Sequence, residues 1–199
     1  AGSPHLLAIF KWLCRGSETI DLAIISTYNL TYSSDLPIII EVKGEIMALR
    51  KRKIVLGVSG GIAAYKAVEF LRLLTKEGAT VYVVMSANAD KFVTPLTFEA
   101  LSGNPVYHQV FDSTSSSLME HIRVAESADL LVVAPATAST IGKMANGLAD
   151  DALSNVFAAF RGPVLIAPAM NDGMYANPAV KANIETMKGR GVEFVEPEH

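Results

Sequence analysis

From residue 53 onward, short unbroken apolar runs alternate with stretches in which apolar residues recur at every third or fourth position. An unbroken apolar run is typical of a strand that is covered on both faces, and the longer period is typical of a helix that packs on one side. Alternation of the two patterns predicts an α/β fold with a parallel, doubly wound sheet. The predicted strands are Lys53–Val58, Thr80–Met85, Asp129–Ala134, Pro163–Ala167 and Val192–Val195.

Four stretches between these strands show the helical period. The first begins directly after a turn at Gly60-Gly61. We expect the second to be interrupted at Pro95, the third to break around Gly147, and the short Ser113–Ser117 run to be a loop. The predicted helices are Ile62–Lys76, Asp90–Leu101, Ser139–Phe160 and Ala179–Lys188.

Residues 1–46 differ from the rest of the chain, because their apolar patches follow neither a helical nor a strand period. Met47 is followed by a basic segment that is typical of the beginning of a domain. We therefore expect an N-terminal extension over residues 1–46 and a ligand-binding domain over residues 47–199. A signal peptide at His5–Cys14 is the less favoured alternative, because no small-residue cleavage site follows it.

Composition and charge disfavour several classes of function. Of the 199 residues, 50% are hydrophobic, and the net charge of −3 offers no basic field for a nucleic acid. No apolar run approaches the roughly 18 residues that a membrane-spanning helix needs. Cys14 is the single cysteine and allows no internal disulfide, so we expect a protein of the reducing cytoplasm. The sequence predicts no metal site.

Four loops that follow predicted strands are expected to carry the ligand site. In a parallel doubly wound sheet, ligands bind beyond the carboxyl ends of the strands. All four loops at those ends are rich in small or polar residues that suit contact with a ligand. They are Ser59–Gly61, Ser86–Ala89, Pro135–Thr140 and Pro168–Met174.

The first of these loops indicates a phosphate site, because its glycines let backbone N–H groups approach an anion at the beginning of a helix. Ser59 occupies the second glycine position of the dinucleotide fingerprint, and the second strand ends at Met85-Ser86 without an acidic residue for a ribose. NAD is therefore disfavoured, and a mononucleotide such as FMN fits better. The alternative is that the glycines only form a tight turn and bind no ligand. The polar residues Thr137 and Ser139, after the third strand, favour a polar ligand instead.

Three longer motifs follow in order. They are Met-Glu-His-Ile at residues 119–122, Ala-Pro-Ala-Thr-Ala-Ser-Thr-Ile-Gly-Lys-Met-Ala-Asn-Gly-Leu-Ala-Asp-Asp at 134–151, and Pro-Ala-Met-Asn-Asp-Gly-Met-Tyr-Ala-Asn-Pro at 168–178. From about Lys53 to the C-terminus, the chain resembles the homo-oligomeric flavin-containing cysteine decarboxylases. Within that family it is most similar to the enzymes that act on 4'-phosphopantothenoylcysteine in coenzyme A biosynthesis.

This resemblance implies a Rossmann/flavodoxin-like, three-layer flavoprotein that uses FMN. It implies that the flavin oxidises the thiol at the substrate's cysteine end, that carbon dioxide is lost because the sulfur accepts the electrons, and that the reduced flavin returns a hydride. The residues expected at the cofactor are Ser59, Gly60, Gly61, Ile62, Ser86, Pro135, Thr137, Ser139 and Met170.

Two residues match catalytic positions of the family. His121 is expected to assist deprotonation of the thiol or to orient the carboxylate, and Asn171 to hold the substrate carboxylate with a neutral amide. Ala169 and Met174 are expected beside Asn171 at the substrate. The structural alternatives are a packing role for His121, an Asx-turn or helix cap at Asn171, and core packing for the methionines.

The sequence also departs from the family. Tyr175 stands where the family often has tryptophan, a mild change. The family's flap carries a cysteine that protonates the enethiolate, and this chain ends at Glu196–His199, where that flap should begin. Cys14 lies in the unmatched extension. We therefore expect a chain truncated before the flap and before the domain that ligates cysteine to phosphopantothenate.

Three other functions stay open at this point. A flavin prenyltransferase shares the fold but is not expected to carry the His121 and Asn171 motifs. A peptidyl-cysteine decarboxylase differs in substrate, and the Gly142–Asp151 segment favours the coenzyme A enzyme over it. The third alternative is an inactive regulatory flavoprotein subunit, and the absence of a flap cysteine is consistent with it.

A homotrimer or a multiple of trimers is the assembly that the resemblance implies. Only 19% of the residues are charged, which is a low share for a monomer surface. The Ser139–Phe160 stretch holds more apolar residues than one buried helix face needs, so we expect some at a subunit interface. They are Ile141, Met144, Leu148, Leu153, Val156, Phe157 and Phe160.

Overall fold

The computed structural model describes residues 39–42, 45–108, 123 and 126–195. Strands and helices alternate through most of this part of the chain. In order they are β1 (Ile39–Val42), β2 (Glu45–Ala48), β3 (Lys53–Val58), α1 (Ala64–Lys76), β4 (Thr80–Met85), a 3-10 turn (Ala89–Lys91), α2 (Pro95–Ser102), β5 (Val106–Tyr107), β6 (Leu130–Ala136), α3 (Ala138–Ala145), α4 (Ala152–Ala159), β7 (Val164–Pro168), α5 (Asp172–Ala176), α6 (Pro178–Gly189) and β8 (Glu193–Phe194).

The main sheet has six parallel strands in the order β5-β4-β3-β6-β7-β8. The chain runs outward from β3 to β5, returns to the centre at β6 and then runs outward in the other direction. This reversal places the topological switch point between β3 and β6, and in open α/β sheets ligands bind in the crevice beyond the strand ends at that point. A ligand site is therefore expected at the loops after these two central strands.

Alternate residues of β3 face the two halves of the core. Ile54, Leu56 and Val58 lie in the half that includes residues of α1 and α2, whereas Val55 lies in the half that includes residues of α3, α4 and α6. Gly57 is on that second side, where a Cβ would come within 2.5 Å of Leu153. The glycine thus lets α4 approach the sheet closely, and helices cover both faces, as predicted.

Most predicted elements are confirmed, with changed bounds. The long third helix is two helices, because the chain turns at Gly147, whose φ of 71° suits glycine. Pro95 begins α2 instead of interrupting a helix, because the first position of a helix needs no N–H donor. The short strand β5 and the short helix α5 were not predicted, since neither is long enough to show a period.

Two short strands at the end of the extension were not predicted. Strands β1 and β2 form an antiparallel hairpin in which Ile40 pairs with Met47. Each strand has four residues, which is too few for alternation to be distinguished from chance. Other predictions for Cys14, the Ser113–Ser117 loop, His121 and Glu196–His199 lie outside the described residues.

Candidate functional site

The loops after β3 and β6 are joined by the side chain of Ser59. Its hydroxyl donates a hydrogen bond to the Pro135 carbonyl at 2.8 Å and accepts one from the Thr137 N–H at 2.9 Å. The Ser59 N–H also donates to the Pro135 carbonyl, at 3.1 Å. Ser59 has 0% of its surface exposed, so three hydrogen bonds link the two loops inside the protein.

The loop after β4 is linked to the same place. The Gly60 N–H donates to the Ser86 hydroxyl at 3.1 Å, and Ser86 is 7% exposed. A Cβ on Gly60 would come within 2.8 Å of the Asn88 backbone, so only glycine allows this approach. We call the set of Ser59, Gly60, Ser86, Pro135 and Thr137 the inter-loop junction.

The turn that leads into α1 carries unused backbone donors beside this junction. Gly61, Ile62 and Ala63 donate a backbone hydrogen bond to no described residue. The first N–H groups of a helix have no acceptor within the helix, and they point to where an anion binds. The Ser86 hydroxyl likewise donates to no described residue, although it accepts from Gly60. This donor set fits a terminal phosphate group such as the one on FMN.

Helix α3 begins at the junction. Thr137 is its N-cap, and its Oγ1 accepts from the Thr140 N–H at 3.4 Å and lies 3.1 Å from the Thr140 hydroxyl. Ser139, in the first turn, is exposed. The cap at Thr137 sets where α3 starts, and the bond from Thr137 N–H to Ser59 sets where α3 lies relative to the first loop.

The loop after β7 is built differently. The Ala169 N–H donates to the Ala136 carbonyl at 2.9 Å, which connects this loop to the loop after β6. Asn171 is exposed and caps α5, with its Oδ1 accepting from the Gly173 N–H at 2.8 Å. Met170 is half-buried against the core, and Met174 is 49% exposed. The helix cap that was an alternative for Asn171 is therefore present, and it leaves the Asn171 Nδ2 group without a described acceptor.

A charged cluster joins the end of α3 to the beginning of α4. The Lys143 ammonium lies 2.8 Å from Asp150 and 3.1 Å from Asp151. Asp151 is buried and shares a capping box with Ser154. The hydrogen bond to Asp150 raises the pKa of Lys143 above 10.5, and the hydrogen bond from Lys143 lowers the pKa of Asp150 below 3.8.

The structure brings most of the predicted cofactor residues to one edge of the sheet, at the carboxyl ends of β3, β4, β6 and β7. His121, the predicted catalytic histidine, lies outside the described residues. Asn88 and Thr140 lie in two of the predicted ligand loops, but the sequence reasoning named neither residue as part of the site. The spacing of Thr137 and Thr140, typical of a helix cap, could have indicated Thr140, whereas the close contact of Asn88 with Gly60 had no sequence signal.

The expected surplus of apolar residues in the Ser139–Phe160 stretch is largely absent. Five of the seven residues are buried in the core and Phe157 packs against it, because the stretch forms two helices that each need an apolar face. Leu148 alone among the seven is exposed, at 56%. Larger exposures occur elsewhere among the described residues, at Ile62 and Leu96, with 80% and 71%.

The chain belongs to the flavoprotein family, whose model matches residues 45–199. It is similar to the coenzyme A biosynthesis bifunctional protein CoaBC of Bacillus subtilis (strain 168), with 50% identity over 149 residues that make up 75% of this chain and 37% of that protein. CoaBC of Mycolicibacterium smegmatis is 48% identical over 151 residues, 76% of this chain and 36% of that protein. The chain thus spans little more than a third of the length of these curated relatives.

Solved structures agree with this assignment. The FMN-dependent cysteine decarboxylase TvaF from thioviridamide biosynthesis superposes with a TM-score of 0.69 and 31% identity, over 73% of this chain and 90% of that chain. A PPC decarboxylase mutant complexed with pantothenoylaminoethenethiol gives a TM-score of 0.63 and 28% identity, over 75% of this chain and 84% of that chain. The family and the Rossmann/flavodoxin-like fold that the sequence predicted are confirmed.

The described residues contain neither a candidate membrane span nor a candidate metal site. None of the helices there has the length and apolar character needed to cross a membrane. Within the same residues, no three histidine, cysteine, aspartate or glutamate side chains are grouped as metal ligands.

Proposed function

We propose that this chain binds FMN and uses it to decarboxylate 4'-phosphopantothenoylcysteine to 4'-phosphopantetheine in coenzyme A biosynthesis. The observation that carries the proposal is the group of unused donors where α1 begins, at Gly61, Ile62, Ala63 and the Ser86 hydroxyl. One terminal phosphate suits these donors, and the absence of an acidic residue at the end of β4, where the chain reads Met85-Ser86, disfavours a dinucleotide. The CoaBC relatives at 50% and 48% identity support the choice of substrate.

Bound FMN would supply two-electron redox chemistry at the substrate thiol. Asn171 is the residue we assign to the substrate carboxylate. Its Oδ1 is held by the Gly173 N–H, so its Nδ2 group is the part left to donate to the carboxylate. A neutral amide binds the carboxylate without the strong attraction of a cation, which would oppose its loss as carbon dioxide. Ala169, in the loop before Asn171, and Met174, in α5 after it, are also assigned to the substrate.

His121 is the residue we assign to the substrate thiol, as the acceptor of its proton. Imidazole suits this role, because its pKa lies near neutral pH and it can both take and return a proton. The assignment is supported by the position of His121 in the Met-Glu-His-Ile motif.

Mass spectrometry of 4'-phosphopantothenoylcysteine after incubation with the FMN-loaded chain tests the function. Loss of carbon dioxide under single-turnover conditions is the expected result, and a peptide with a C-terminal cysteine should react far more slowly. A faster reaction of the peptide would favour the peptidyl-cysteine decarboxylase. Flavin binding without either reaction would favour a regulatory subunit, and prenylation of FMN would favour a prenyltransferase.

The cofactor can be tested separately from the reaction. Purified chain should be yellow, or its apoprotein should take up FMN on titration with quenching or enhancement of flavin fluorescence. A protein that stays colourless and binds no FMN at micromolar concentration would contradict the proposal before any substrate is added.

We also propose that the chain forms a homotrimer or a multiple of trimers in the cytoplasm. Exposed apolar side chains near the phosphate-binding turn, at Ile62 and Tyr65, and on α2, at Leu96, support self-association. The single cysteine agrees with a reducing compartment. Light scattering at micromolar protein should give a multiple of three times 21.3 kDa, and a mass of one chain with FMN bound would contradict it.

A further inference from the structure

We propose that Ser59 is a positioning residue of the flavin site, which holds the loop after β6 against the phosphate-binding turn and does not itself touch the flavin. The inference rests on the proposed function and deepens it. Ser59 follows directly from β3, in the loop where the family resemblance places cofactor contacts. Its hydrogen bonds nevertheless all go to the protein.

The donor capacity of the Ser59 hydroxyl is used inside the protein. A serine hydroxyl has one proton to donate, and here it goes to the Pro135 carbonyl at 2.8 Å. The same oxygen accepts from the Thr137 N–H at 2.9 Å. With 0% of its surface exposed, Ser59 has neither a proton nor a surface to offer a phosphate.

Ser86, which follows the neighbouring strand β4, differs from Ser59 because its hydroxyl proton is not used within the described part of the protein. Its hydroxyl accepts from the Gly60 N–H at 3.1 Å and donates to no described residue. Its proton is therefore available to an anion at the beginning of α1. The two serines directly follow adjacent strands, but Ser86 contacts the ligand while Ser59 fixes the loops around it.

The bond from Thr137 explains what the hydroxyl of Ser59 achieves. Thr137 is the N-cap of α3, so its position sets the beginning of that helix and of its first turn, which contains Ser139. Without the Ser59 hydroxyl the Thr137 N–H would lose its acceptor, whereas the Pro135 carbonyl would keep the Ser59 N–H. A donor left unpaired in a part-buried position favours a shift of the loop toward water.

Comparing FMN with riboflavin separates positioning from phosphate binding. If Ser59 aligns two loops, Ser59→Ala should raise the dissociation constants of both flavins by a similar factor, about tenfold. If instead Ser59 binds phosphate, only the affinity for FMN should fall, since riboflavin has no phosphate. Ser86→Ala should weaken the binding of FMN much more than the binding of riboflavin.

The experiment is fluorescence titration of the apoprotein, with thermal unfolding measured in parallel. Ser59→Thr keeps the hydroxyl and should restore much of the affinity. The matched control is Ser154→Ala, another buried serine with hydrogen bonds to its own helix cap, which should lower the unfolding temperature and leave both flavin affinities unchanged.

Amide hydrogen exchange provides a test that needs no variant. In wild-type apoprotein the Thr137 amide should already exchange slowly, because its acceptor Ser59 belongs to the protein. Fast exchange that becomes slow only with FMN would overturn the proposal. In Ser59→Ala, a loss of affinity for FMN alone, or unchanged affinities for both flavins, would also overturn it. A wild-type protein that binds neither flavin would overturn the proposed function itself, which distinguishes the two failures.

Discussion

The inter-loop junction and the loop around Asn171 occupy the same edge of the sheet but are built in opposite ways. In the junction, hydrogen bonds join residues that are up to 78 positions apart, and the two serine side chains that make them are buried. In the Asn171 loop, the side-chain bonds span two positions, from Gly173 to Asn171 and from Ala179 to Asn177, and the capping side chains are exposed.

This difference indicates a division of work within one site. The junction is held by contacts within the protein, so its geometry exists before a ligand arrives, as a site for a resident cofactor requires. The Asn171 loop is shaped by local caps, and its exposed amide can meet a substrate. Substitutions in the junction should therefore alter folding and flavin binding together, whereas substitutions in the Asn171 loop should alter turnover alone.

The largest effect is expected from His121→Asn. This variant would show whether His121 acts in turnover or in flavin binding. Loss of a proton acceptor for the thiol should lower carbon dioxide release by about 100- to 10,000-fold, with FMN still bound. Single-turnover mass spectrometry and flavin absorbance measure the two quantities. His108→Asn is the control and should retain turnover, and normal turnover in His121→Asn would return His121 to a structural role.

Asn171→Asp tests the other side of the division. At this exposed position the new carboxylate should repel the substrate carboxylate by about 1–4 kcal/mol, which corresponds to a loss of turnover of about 5- to 1,000-fold. Aspartate caps a helix as well as asparagine does, so the unfolding temperature should not change. Asn177→Asp makes the same change at the neighbouring cap, and it should leave turnover within a small factor of wild type.

Gly60→Ala should break the junction. A Cβ there would come within 2.8 Å of the Asn88 backbone, and such overpacking costs about 1–3 kcal/mol of the free energy of unfolding. Affinity for FMN should fall with it. For stability, Gly61→Ala is the matched control, because its Cβ would meet the Thr137 side chain at an ordinary 3.4 Å. Equal stability of the two variants in chemical denaturation would show that the junction tolerates distortion.

The smallest effect is expected at the far end of α3, from Asp150→Asn. Because its folded pKa is lowered, the contribution of Asp150 to stability is present above pH 3.8 and is lost as the pH falls through the folded pKa. The raised pKa of Lys143 makes its contribution present below pH 10.5 and lost above it. The stability difference from wild type should therefore be constant near neutral pH and shrink at both extremes.

The affinity of Asp150→Asn for FMN shows whether the ion pairs at the end of α3 influence the flavin site. We expect it to be unchanged, because the junction holds the beginning of α3 independently of the ion pairs at its end. A clear loss of FMN affinity would show that the whole helix, and not the junction alone, positions the site. The variant's stability difference should also decrease in high salt.

The sequence predicted the four long strands of the sheet, and the helices that cover them, because the spacing of apolar residues is a local property. It was weaker where a helix or strand is short, as in the hairpin at Ile39–Val42 and Glu45–Ala48 and in β5. It also overestimated the exposed apolar residues between Ser139 and Phe160, because a break at Gly147 gives each of two helices its own buried face.

By itself, the sequence determined the sheet, the family and the set of loops at its carboxyl edge, since apolar runs and long motifs are carried by neighbouring residues. Only the tertiary structure decided which polar residues of those loops bind one another. Ser59 and Ser86 look equivalent along the chain, yet one donates its proton to a carbonyl 76 positions away and the other has no described acceptor. Hydrogen bonding between distant loops depends on how the strands pack side by side, and no local pattern encodes that distance.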